Sequence, residues 1–106
     1  MSDGATPPRI VGADADIAMV LAEVDALREL AQDPQKAHDA DRVYSFSIRW
    51  GALLFGRLER LANYSGEGAL SVQEQQRYDA LRAGLRELLP VMDRLGLARP
   101  GVPLSG

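Results

Sequence analysis

The chain has 106 residues, 46% of them hydrophobic and 25% charged, with no cysteine and a formal net charge of −3. That balance is globular and sized for one core, and the missing cysteine excludes disulfides, thiolate catalysis and sulfur-ligated zinc. The acidic excess offers no global attraction to nucleic acid or anionic lipid, so binding of either kind would have to be local.

The opening, MSDGATPPRIVG, has no basic stretch leading into an apolar run, and nowhere does an apolar run near the roughly 18 residues of a membrane span. A cytoplasmic chain without membrane contact is expected. Gly4, Pro7, Pro8 and Gly12 mark residues 1–12 as a flexible tail, and Pro100, Gly101 and Pro103 mark 97–106 as another. Between them, over residues 13–96, the apolar spacing is helical nearly everywhere. The expected fold is all-α, a three-helix bundle of long helices.

The first helix is predicted over 14–32, with Asp14 as N-cap and Asp16 in the first turn, where the helix dipole favours a carboxylate. Ile17, Val20, Val24, Leu27 and Ala31 follow the spacing of a buried seam, with Leu21 and Leu30 beside them. Pro34 disfavours helical geometry at Asp33, so the helix stops there, and Asp33 can cap a second helix with Pro34 in its first position. A later start, near Asp39, competes with that reading.

The second helix is predicted over 34–63, ending before the Gly66 and Gly68 loop. Its stretch RVYSFSIRWGALLFGRLERL, residues 42–61, gathers four of the six aromatic residues and four arginines. At 100° per residue its apolar side chains, including Tyr44, Phe46, Ile48, Trp50 and Phe55, span an arc of about 200°, against little over 100° for a helix facing one core. Leu53 falls outside the arc, on the polar side. Such a helix must be covered from two sides. Either it is the centre of the bundle, or part of its aromatic face is left for another molecule, and a chain this small gains by completing its burial through association. Tyr44, Phe46, Trp50, Leu53 and Phe55 are therefore the candidate interaction surface, with a symmetric homodimer or a protein partner as its simplest use.

Charge is divided between these helices. Residues 13–33 carry six acids against Arg28, a balance of −5, whereas residues 42–63 carry four arginines against Glu59, a balance of +3. Arg42, Arg49 and Arg60 fall within about 20° of one another on the polar face, with Arg57 some 60° away. This arginine rail can pair with the acids of the first helix, or serve as an anion or nucleic-acid site, taking a phosphate, a nucleotide or an acidic partner protein. Aromatics and arginines project from different faces, so stacking on nucleic-acid bases is not favoured.

The third helix, 71–96, opens on Ser71-Val72-Gln73-Glu74, a capping box. Tyr78, Leu81, Leu85, Leu88, Met92 and Leu95 then hold a heptad pattern suited to packing along a neighbour at a shallow angle. The pattern runs in phase past Pro90, which predicts a kinked helix, and Gly96 with Leu97 predicts its stop.

Catalytic signatures are missing. His38, the only histidine, has Asp39 and Asp41 beside it, too few ligands for a metal site, and there is no Glu-x-x-His repeat, phosphate loop or nucleophile with a visible base. No cofactor is expected and no enzymatic activity is favoured. A third possible use is small-molecule binding between helices near Tyr44 and Trp50.

Overall fold

The structure, a computed structural model, describes residues 12–104, so the tail expected over 1–12 lies outside the described residues but for Gly12. It is all-α, with no strand among the described residues: α1 (Ala13–Gln32), α2 (Pro34–Ala37), α3 (Ala40–Leu53), a π-helical turn (Leu54–Leu58), α4 (Glu59–Gly66), α5 (Val72–Glu87) and α6 (Leu89–Leu95). The molecule is elongated, 58 × 24 × 19 Å.

Helix α1 starts differently from its sequence expectation. Its N-cap is Gly12, in the left-handed region at φ 95°, with no side chain capping the turn. Asp14 instead pairs with Arg77 of α5 at 2.9 Å. The seam of Ile17, Val20, Val24 and Leu27 is buried as its spacing requires.

Both signals at the first corner are realised. Asp33 accepts from the amides of Gln35 and Lys36, starting the single turn of α2, and Asp39 accepts from the Arg42 amide to start α3 afresh. The continuous helix expected from Pro34 is thus interrupted at His38, while α3, the π turn and α4 follow without a break from Ala40 to Gly66. At 1.5 Å per residue this rod is about 40 Å long.

Helix α1 packs against α5 and against α2, the π turn and α4 through a single buried seam. The rod is covered by α1 along one flank and by the end of the chain along another. Trp50, fully buried, donates its indole N–H to the Ala98 carbonyl at 2.9 Å. Residues 97–104, expected as tail, lie against the core through Leu97, Ala98, Val102 and Leu104.

The π turn resets the rod. Under uniform helical rotation Leu58 would point with Tyr44 and Phe55, but one extra residue in the turn carries Leu58 back to the core, where it is fully buried beside Leu61. Leu53, expected on the polar side, is buried too, because α1 closes over that flank.

The capping box of α5 forms in both directions, Glu74 N–H to Ser71 Oγ at 3.1 Å and Ser71 N–H to Glu74 Oε1 at 2.8 Å. Replacing Ser71 with Ala is expected to cost about 1 kcal/mol, read from a denaturant midpoint. Helix α5 ends at Glu87 and α6 begins anew at Leu89 with Pro90 in its first turn, so two helices meeting at Leu88 stand where one kinked helix was expected. Met92 is still buried beyond the break. The stop follows a Schellman pattern: Gly96 sits at φ 70°, its amide reaches Asp93 O, and the Leu97 amide reaches Met92 O.

Burial pushes the Tyr78 hydroxyl above its ordinary value of 10.0, partly offset by the Arg82 guanidinium over its ring. The folded state thus holds the proton more tightly than the unfolded chain does. The contribution of this difference should be complete below pH 10 and be lost as pH rises above it, and Tyr78→Phe should flatten that decline in an alkaline unfolding series.

Candidate functional site

The expected aromatic surface divides in two. Phe46, Trp50 and Leu53 belong to the core, with the Phe46 and Trp50 rings stacked at 5.7 Å between centroids. Tyr44 and Phe55 lie outside it at 66% and 67% exposure, and Ile48, between them in sequence, is 56% exposed.

These three share one side of the rod. Positions 44, 48, 51 and 55 are spaced four, three and four residues apart, the spacing of a coiled-coil seam. The fourth member is Gly51. A Cβ added there would meet nothing within 4 Å. The shoulders of the stripe are short: Ala40, Ser45 and Ala52 are exposed and Ser47 is half-buried. A stripe about 16 Å long therefore stands clear of its own chain. Beside Tyr44, where α3 passes the end of α6, there is an open concavity of about 480 Å³ walled by Ala40, Val43, Ser47 and Arg94.

The arginine rail stays at the surface, its side chains a third to more than half exposed, but most of its charges are paired within the chain. Arg57 and Arg60 both hold Asp16, Arg60 through Nε at 2.9 Å, and Asp16 itself is 3% exposed. Arg49 lies 3.6 Å from Glu23 and 5.3 Å over the Phe46 ring, and Arg42 stands 3.9 Å from Asp39. The charge division seen along the chain is thus met largely within the molecule, between α1 and the rod. Asp16 lies in the first turn of α1, as expected, but its burial and its role as the shared partner of two arginines were missed by sequence reasoning. Its signal was its place beside Ile17 and one turn before Val20, on the edge of the apolar seam.

Between α1 and the rod runs a groove of about 550 Å³ with Met19, Ala22 and Ala52 among its apolar walls and Arg49, Arg57 and Arg60 at its edge. Trp50 lines neither this groove nor the concavity beside Tyr44. Trp50 is fully enclosed in the core, whereas Tyr44 is exposed beside the concavity.

The chain matches no known protein family, no curated protein and no solved structure. Its function has to be argued from its own surface. Among the described residues no group of three or more His, Asp or Glu could hold a metal ion, and no helix is long and apolar enough to cross a membrane.

Proposed function

We propose that this protein is a protein-interaction or assembly module, a three-helix scaffold of α1, the 40–66 rod and the α5–α6 pair that presents the outer stripe of the rod to a partner, most simply a second copy. The observation that carries the reading is the exposure of Tyr44, Ile48 and Phe55 together at seam spacing. Single exposed hydrophobics are ordinary, but three large ones aligned on one helix side form a continuous apolar patch of the kind found at interfaces. The contact surface is narrower than composition suggested, because Phe46, Trp50 and Leu53 serve the fold.

Phe55→Asp should remove self-association, with the mass by light scattering falling to the 11.5 kDa of one protomer while the far-ultraviolet helical signal is unchanged. An unaltered mass would refute the assignment of this stripe.

An anion site in the groove between α1 and the rod is a second reading, favoured by the three arginines at its edge. It requires binding of inorganic phosphate that weakens with salt and with Arg49→Gln. Against it stand Asp16 and Glu23, which already supply carboxylates to these arginines.

A further inference from the structure

The stripe has a register that fits itself. Helices paired antiparallel along a seam set alternate seam positions opposite one another, and about a two-fold axis between residues 49 and 50 Tyr44 comes level with Phe55 of the other copy. Ile48 then comes level with Gly51. Large side chains meet small ones in the two inner layers, and the aromatic rings meet in the two outer ones. A parallel pair would instead set Gly51 on Gly51 and leave a hollow in the middle of the seam.

Gly51 has no other evident use. Mid-helix glycine costs about 0.5–1 kcal/mol relative to alanine, its backbone is helical, and nothing in its own chain would obstruct a Cβ. Close approach by a second helix gives a reason for it.

We infer that the partner is a second copy of this chain, bound antiparallel, with Phe55 of each copy seated in the concavity beside Tyr44 of the other. The inference rests on the interaction reading above and adds the partner and its register. Phe55 has no pocket in its own molecule, and the concavity lies at the level its ring would reach, walled by the short side chains of Ala40 and Ser47. An aromatic anchor in a pocket of the partner is the usual centre of such an interface.

Charge agrees with this orientation. Neither Glu59 nor Arg94 forms an ion pair among the described residues. The antiparallel register brings Glu59 of one copy level with Ala40 of the other, which shares the concavity with Arg94. A parallel pair would set Glu59 against Glu59, a repulsive match.

Because the chain contains no cysteine, introduced thiols report the register directly. Tyr44→Cys and Phe55→Cys chains, mixed under mild oxidation, should form a disulfide-linked heterodimer. Each alone should remain uncrosslinked, its like thiols being about 16 Å apart along the rod, beyond disulfide reach. Gly51→Leu should weaken the dimer at least tenfold by sedimentation, with no loss of thermal midpoint in dilute protein. Crosslinks of 44 to 44 or 55 to 55, or a Gly51→Leu dimer of unchanged affinity, would overturn the register. If the unmodified chain is a dimer in that same experiment, the assembly reading survives the register's failure. If it is a monomer, both fall.

Discussion

Trp50→Ala should be the most damaging single substitution in the rod, lowering stability by about 4–5 kcal/mol in a denaturant titration. Its side chain is fully enclosed, stacks on Phe46 and donates to the Ala98 carbonyl, so truncation removes a large buried area and leaves a cavity and an unpaired acceptor. A domain of this size has roughly 5–15 kcal/mol in total, so such a loss is a third or more of it. Trp50→Phe separates the two contributions. It keeps most of the apolar volume while freeing Ala98, and should cost about 1–2 kcal/mol, with earlier proteolysis of the 97–104 segment than of the rest. Phe55→Asp should act differently: Trp50→Ala weakens the fold, whereas Phe55→Asp separates the copies and leaves the fold intact. If Trp50→Ala left the melting curve in place, the enclosure of the rod by its own C-terminal segment would be wrong.

Asp16→Ala should cost about 2–3 kcal/mol. The carboxylate is buried and holds both Arg57 and Arg60, and breaking a buried charge cluster from one side typically costs about 3–5 kcal/mol. The lower figure applies because the two arginine side chains are between a third and a half exposed and can turn to water once released. Replacing all three residues together, Asp16→Leu with Arg57→Met and Arg60→Met, should recover most of the loss, since an apolar contact between α1 and the rod then stands where the charges were. A triple variant as unstable as Asp16→Ala would show that the cluster's worth lies in more than its mutual neutralisation.

The parts of the fold that were legible along the chain are those decided within a few residues. Ser71 and Glu74 close their capping box because each needs only the other's backbone, and Gly96 ends α6 because only the left-handed region lets Leu97 turn back onto the core. The α5 seam was readable for the same reason: Tyr78, Leu81 and Leu85 repeat without interruption. At Asp33 and Asp39 two caps compete six residues apart, and the structure uses both, which no local rule decides.

The candidate site was legible only as a composition. The wide aromatic arc pointed to a helix with more apolar circumference than one neighbour hides, but not to which third of it stays outside. That depends on two facts outside any uniform rotation, the extra residue of the π turn and the packing of α1 along one flank of the rod. Together they send Leu53 and Leu58 inward and leave Tyr44, Ile48 and Phe55 facing solvent. Asp16 escaped for a related reason, since a first-turn acid is ordinary until two arginines from a distant part of the chain converge on it.

The claim on which the account turns is that the rod's outer stripe is surplus to the fold of one chain and is used to hold another. Sedimentation equilibrium of the unmodified protein over a range of concentrations tests it most directly. The account predicts a single reversible step from 11.5 kDa at high dilution to twice that mass as concentration rises. A constant 11.5 kDa across the whole range, with Tyr44, Ile48 and Phe55 intact, would contradict it.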